Sequence, residues 1–448
     1  MKKLLAFCAA LLPLALAQSV TITYWQYEFR SKVEAINELI RRFEAQNPGI
    51  KVVHQTFPYD AFQQKVAAAI PAGQGPDVVN LYYGWAPTWV KAGYLVPLPD
   101  DWVRRLDQDF VAMAQAARVG GKLYGVPTAV RSLALFYNKD LFRQAGIAGP
   151  PKTWEEFIAV GQKLTVKQGG RFTQIGYGIA PDGQDHHLVR EVLVRQFGGR
   201  PYSDDGKRVL YQGEAGLKAL SFYTDWVRKH EIGVPGFFPG NNGYRDGFIA
   251  GKIAMIIDGS FAIGTIQQGA RFNFGVAELP LERIGGRKAN FGSFWMHGLT
   301  PLATGPKREA ALRFLAFITS KETQRYWLEK VGELPASKNL IRDPKLSLHP
   351  VYGPFVLSLA YAKATPFVDE AAQRKVMVDA INRVLLQGMD PAQSLRIAAE
   401  EEQKILIPFL VVSFVYDRGR PPDPERAVAE GQEGQGPDRE APLSGRLP

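Results

Sequence analysis

The sequence predicts an α/β fold, and three observations carry that prediction. Strand-type and helix-type patterns alternate from Val20 to Tyr82, which is the signature of a parallel sheet covered by helices. A second such region opens in the stretch Gly121 to Phe157. There a Gly-Val-Pro entry leads into the apolar run Leu133–Tyr137, then Asn138-Lys139-Asp140, then a helix start at Thr153. Third, the chain of 448 residues is 46% hydrophobic, enough to build two or three domains with large cores.

The elements follow in order. Val20–Trp25 alternates and is β-rich, and reads as the first strand. Val33, Ile36, Leu39, Ile40 and Phe43 recur at helical spacing, and Asn47-Pro48-Gly49 ends that helix. Ile50–Phe57 is a second strand. Phe62, Val66, Ala69 and Ile70 mark a helix, and Gly73–Asp77 turns into the strand Val78–Tyr82. Ligands of such sheets lie at the carboxyl ends of the strands. Those ends are Trp25–Glu28 and Tyr82–Trp85, both rich in aromatic rings. Thr153 with Glu156 three residues on forms a capping box for the helix Trp154–Leu164. Helices are expected over 188–197, 216–228, 307–319, 322–331, 355–361, 371–387 and 391–406, with strands over 253–257 and 272–279. Trp154 and Trp226 read as core residues.

The ends differ from the middle. Lys2 and Lys3 precede an apolar run, Leu4–Leu16, that closes on Ala15-Leu16-Ala17. This is the pattern of a cleaved export signal over residues 1–17. The one cysteine, Cys8, lies inside it, away from the position a lipid anchor requires. An exported, soluble mature chain without cysteine is expected, so disulfide and thiol chemistry are excluded. Residues 407–448 form an anomalous tail: Asp417–Pro448 holds six Pro and five Gly in 32 residues and should be disordered. Two origins are open for it, a frameshifted or read-through extension and a genuine flexible tail.

The formal charge of +10 falls to +8 without Lys2 and Lys3, and the basic residues are scattered. No nucleic-acid motif accompanies them, so no nucleic-acid partner is expected. No Gly-x-Ser-x-Gly elbow, Walker loop or His-Glu-x-x-His helix is present. His186 and His187 are adjacent, without the spacing of a helical metal pair. Neither a cofactor, a metal nor catalysis is expected.

A set of segments then resembles one family in order and spacing. They are FEAQNPGIKV, GQGPDVV, AGYLVPL, GKLYGVP, FYNKDLF and PPKTWEEF, followed by FIAGKIAMIIDG, GVAELP, KREAALRFLAFITSKETQRYW and GELPAS. The chain resembles the extracellular solute-binding proteins of carbohydrate ABC importers, the group that includes maltose-binding protein. The resemblance fades after Leu406. It implies a two-lobed periplasmic-binding-protein-like fold with a ligand cleft between the lobes and several hinge crossings. The first lobe would be 18–130 plus 275–318 and the second 131–274 plus 319–406. Crossings are expected near Ala129–Leu133, Phe272–Ala277 and Ala316–Lys321. It further implies a non-enzymatic, monomeric receptor that hands a small carbohydrate to the permease subunits of an importer.

A pyranose offers an apolar C–H face and a rim of hydroxyls, so its site needs flat rings and fixed polar groups. The resemblance and the strand ends together select Trp25, Gln26, Tyr27 and Glu28; Tyr82, Tyr83, Gly84 and Trp85; Asp258, Gly259 and Phe261; and Trp295. Gly84 would let the ligand approach the backbone, and Phe261 falls where the family's maltose receptor stacks a tryptophan. Asp185, His186 and His187 form a further polar cluster. Arg131 occupies a position that is a carboxylate in the maltose receptor. It would pair with Glu28 or Asp258, or meet an anionic ligand such as a sugar acid or sugar phosphate. A secreted carbohydrate-active enzyme on a similar scaffold is the remaining alternative.

Overall fold

A computed structural model describes residues 19–418, with side chains through Ile407. The export signal and all but the start of the tail lie outside the described residues. The elements that position the site are β1 (Val20–Tyr27), α1 (Arg30–Gln46), β2 (Ile50–Phe57), α2 (Tyr59–Ala69), β3 (Val78–Tyr82), β4 (Val126–Asn138) and α3 (Trp154–Leu164). After these come β5 (Val166–Gln168), β6 (Arg171–Tyr177), α4 (Glu214–Arg228), β7 (Ile253–Gly259), β8 (Phe274–Ala277) and β9 (Asn290–Leu299). The chain closes with α5 (Gly305–Ile318), α6 (Lys321–Val331), β10 (Leu334–Pro335), α7 (Glu370–Gln387) and α8 (Pro391–Arg418). The last helix runs past Leu406, where the sequence pattern ended it.

The strands form one curled sheet in the order β2-β1-β3-β9-β4-β7-β6-β5. β1 is parallel to β2 and β3, as the strand–helix alternation requires. The parallel part ends at β9, which runs antiparallel to both β3 and β4. β4 joins the two halves. From Val126 to Ser132 it pairs with β9, and from Leu133 to Tyr137 it pairs with β7. Its 13 residues read as only a short strand in sequence because Pro127 and Arg131 interrupt the apolar pattern.

Two hydrophobic clusters sit on this frame. One gathers β1–β3, α1, α2 and α5 around Tyr24, Phe43, Phe62 and Phe314. The other gathers α3, α4, α7 and α8 around Trp154, Phe157, Trp226 and Ile381. Trp154 and Trp226 are buried with ring centroids 5.5 Å apart. β8 pairs only with the far half of β4, and Leu279 and Ala289 belong to the second cluster. The return to the first half is therefore made by β9, later than the expected crossing at 272–277. α6 packs on α1, and β10 pairs with β4 at Ala129–Val130, so the segment after Ile318 stays beside the first cluster.

The Thr153 cap is as the sequence implied. Its hydroxyl accepts from the Glu156 N–H at 3.2 Å, and the Glu156 carboxylate reaches back to the Lys152 N–H at 2.6 Å. Among the described residues no helix is long and apolar enough to cross a membrane.

Candidate functional site

A cavity of 530 Å³ opens between the two halves. Side chains alternate along β1. Tyr24 and Gln26 point to one face, where with His297 and Thr128 they line a small polar void beneath the cavity. There Thr128 Oγ1 donates to the Ile318 carbonyl at 2.6 Å, so it accepts from His297 Nε2 at 2.9 Å. His297 Nδ1 is then the acceptor for the Tyr24 hydroxyl at 3.1 Å. Burial, with Lys32 nearby, pushes the His297 imidazole down to about 3, so the ring is neutral. Trp25 and Tyr27 point to the other face. Trp25 stops short of the cavity, buried with its ring centroid 4.6 Å from Phe57. Tyr27 reaches the cavity, and Glu28 is exposed and does not line it.

Tyr27, Tyr59, Tyr82 and Trp295 make the aromatic wall. Tyr82 and Trp295 are direct cross-strand partners on β3 and β9, which fixes their spacing. Trp295 lies 4.2 Å from Tyr27, 6.0 Å from Tyr82 and 6.2 Å from Tyr59 between ring centroids. At those spacings the rings pack on one another and leave no gap for a guest among them. They present a continuous aromatic surface of mutually tilted rings, at interplanar angles of 36°, 56° and 63° to Trp295, rather than a cage. Trp85 is buried behind that surface, edge-on to Trp295 at 5.0 Å. Tyr83 is also buried, stacked on Phe294 at 4.8 Å. The space beside Gly84 is taken by protein: a Cβ there would come within 2.9 Å of Phe367 and Tyr82 and 3.0 Å of Glu370. The expected approach of a ligand to that backbone is therefore replaced by side-chain packing.

Arg131 lines the cavity but pairs with neither Glu28 nor Asp258. Its Nε lies 2.9 Å from Glu333 Oε1, the same oxygen that accepts from Lys32 Nζ at 2.9 Å. Glu333 Oε2 accepts from Trp327 Nε1 at 3.0 Å, and Lys32 also donates to the Tyr27 hydroxyl at 2.7 Å. Burial acts to raise the Glu333 carboxyl, but Arg131 and Lys32 outweigh it and hold the group well below the usual carboxylate range. The sequence showed GELPAS as a motif; nothing in it linked Glu333 to residues some 200 and 300 positions earlier.

Asp258 is fully buried and takes two bonds from Arg245, at 2.7 and 3.1 Å. The guanidiniums of Arg131 and Arg245 lie over the Phe261 ring, 5.2 and 5.4 Å from its centroid. Gly259 lets the same ring lie against the backbone, for a Cβ would fall 2.2 Å from it. Phe261 lines the cavity, but cations cover its surface, so stacking there is already used within the protein.

The opposite wall comes from the segment 181–187 and from α7. The segment is π-helical with a kink at Gly183 (φ −81°, ψ −109°), and it turns Asp182, Gln184, His186 and His187 to the cavity. His187 stacks on Phe291 at 3.6 Å. Burial first, then Arg190 and Arg374, hold both imidazoles well below their ordinary value, so both are neutral. Asp185 is buried on the far side and anchors the segment. It accepts from the Tyr177 hydroxyl and the Ala180 N–H, each at 2.6 Å, and from the Tyr223 hydroxyl.

Burial pushes the Asp185 carboxyl up to about 6 against those bonds. A group protonated in the folded chain and ionised in the unfolded one costs stability as pH rises. The Asp185 contribution should therefore fall between about pH 4 and about pH 6. Urea titrations across that window should show the slope in the wild type and not in Asp185→Asn. An equal slope in both would refute the assignment.

Lys32, Tyr59, Glu333, Glu370 and Arg374 are cavity residues that the sequence reading did not select. Glu370 and Arg374, spaced i, i+4 at the start of α7, were the ones with a usable signal, since that spacing puts both on one helix face.

This is the architecture of a two-lobed binding protein, with a cavity at the seam. The model of the bacterial extracellular solute-binding protein family matches residues 29–325, and the chain belongs to that family. The galactooligosaccharide-binding protein of Bacillus subtilis is 26% identical, over 84% of this chain and 87% of its own. The mannitol-binding protein of Pseudomonas aeruginosa is 26% identical, over 86% and 84%. Among solved structures, a solute-binding protein of an ABC transporter from Thermotoga lettingae, bound with α-D-tagatose, superposes with a TM-score of 0.73. It is 26% identical, covering 87% of this chain and 100% of that one. The sugar-binding protein MalE of Xanthomonas citri, at 23% identity, has the same fold, with a TM-score of 0.73 over 93% and 100%. These relatives are binding proteins, not enzymes.

Proposed function

We propose that this chain is the exported receptor of an ABC importer, capturing a small neutral carbohydrate and delivering it unchanged to the membrane permease. The observation that carries the reading is the cavity itself, with one wall of packed rings and the other of fixed polar groups. Its size is in the range of small-molecule sites, roughly 300–1,000 Å³. The names of the sugar- and polyol-binding relatives support the same ligand class.

The charge balance favours a neutral ligand. Lys32, Arg131, Arg245 and Arg374 stand against Asp182, Asp258, Glu333 and Glu370, four of each sign. Arg131, the motive for an anionic ligand, is already engaged by Glu333, which it shares with Lys32. The lobes are taken to meet along β4 and β9 and to close over the ligand by hinge motion there.

The test is thermal melting with neutral sugars and polyols, sugar acids and sugar phosphates. Saturating ligand raises Tm in proportion to ln(1 + [L]/Kd). Neutral saccharides should stabilise. Stabilisation by phosphates alone would overturn the reading, and so would appearance of a cleaved product.

A further inference from the structure

We infer that Glu370, at the start of α7, is the hydroxyl acceptor that selects a neutral polyol over an acidic one. The inference rests on the receptor reading above and deepens it.

The cavity's other charges leave Glu370 distinct. Lys32 and Arg131 share Glu333, and Arg245 is held by Asp258. His186 and His187 are neutral. Asp182 and Arg374 are exposed, and the Arg374 guanidinium donates to the Asp182 carbonyl. Among the described residues Glu370 has no cationic group within ion-pair distance, although it lines the cavity and is partly buried.

Its surroundings place it at the edge of the aromatic wall. Its Cγ lies 3.0 Å from the point a Gly84 Cβ would occupy. Tyr59 and Tyr82 both feel its charge. A pyranose stacked on the Trp295 ring directs its equatorial hydroxyls outward in its own plane, toward the groups that line the cavity beside that ring, Glu370 among them. A carboxylate with free lone pairs takes two such donors. A carboxylate or phosphate on the ligand would meet like charge at the same point.

Binding should then depend on pH. Burial raises the Glu370 carboxyl, with the nearby Arg374 the main opposing influence. The other charged and titratable groups around it are Asp369 on its own helix, Arg190, Tyr59, Tyr82 and Tyr83. The arginines stay charged, and burial pushes the tyrosines up, out of the neutral range. Affinity should fall on acidification, beginning at a higher pH than an exposed glutamate near 4.3 would give.

The experiment measures calorimetric binding of maltose, melibiose and mannitol, with glucuronate and glucose 6-phosphate as anionic probes, from about pH 8 to about pH 5. For whichever neutral probes bind the wild type, Glu370→Gln should weaken binding about tenfold or more. It should also flatten the pH profile and narrow the gap to glucuronate, with Tm unchanged. Equal affinity and an unchanged pH profile in Glu370→Gln would overturn the inference and leave the receptor reading intact. A wild type that binds only the anionic probes would overturn both.

Discussion

Replacing Glu333 with Ala is expected to cost the folded protein about 3–5 kcal/mol, the loss typical of breaking a buried ion pair by removing one partner. Lys32, Glu333 and Arg131 have side chains only 8%, 5% and 13% exposed, so the two cations left behind have little solvent to turn to. The Trp327 N–H also loses its acceptor. The effect should be structural before it is functional, because the cluster ties α1, β4 and the segment after α6 together beneath the cavity. Urea denaturation checks the size of the loss. Adding Lys32→Met should recover part of it, since one stranded charge is then gone; no recovery would show that the cost is not electrostatic. The pH dependence has a definite sign. The Glu333 carboxyl is depressed in the folded chain, so its contribution is complete above the unfolded value of about 4.3 and is lost as pH falls toward the folded value. Asp185 acts in the opposite direction at higher pH, so stability should peak between the two.

The local elements were legible in sequence because local chemistry fixes them. Ile50–Phe57, Val78–Tyr82 and Trp154–Leu164 fall where the turn residues and the Thr153 cap put them. The long strand β4 was only partly legible. Its two halves are buried by different partners, so no single apolar period runs through Pro127 and Arg131. For the site, sequence located the strand ends but not the depth of each side chain along them. Tyr27, Tyr82 and Trp295 reach the cavity, whereas Trp25, Tyr83 and Trp85, one to three positions from the first two, are buried behind it. Tyr59 was hidden at a helix start after Pro58, with no strand end to mark it. The charge pairing was illegible for a plainer reason. Arg131 was weighed against carboxylates on the expected ligand wall, but its partner is 202 residues away on a segment that the fold returns to the first half.

That difference in depth sorts the aromatic residues into two kinds, with opposite expected behaviour. Trp295 is partly buried and sits at the centre of the wall, within 4.2–6.2 Å of Tyr27, Tyr59, Tyr82 and Trp85. Trp295→Ala takes away the surface on which a sugar ring would lie. It should weaken binding by about 2–4 kcal/mol, on the order of 30- to 1,000-fold, as for a central aromatic hot spot. Its cost in stability should be smaller, because the ring lines the cavity and is only partly buried, and Trp295→Phe should restore most of the binding. Tyr83 is 2% exposed and stacked on Phe294, so Tyr83→Ala opens a cavity in the core. That change should cost about 3–5 kcal/mol of folding stability, as other large aromatic-to-Ala truncations do. At a temperature where the variant remains folded it should bind sugar with little change. Parallel calorimetry and urea denaturation of the two variants separate these effects. If Trp295→Ala binds as the wild type does, the packed rings are core rather than ligand surface, and the receptor's cavity lies elsewhere.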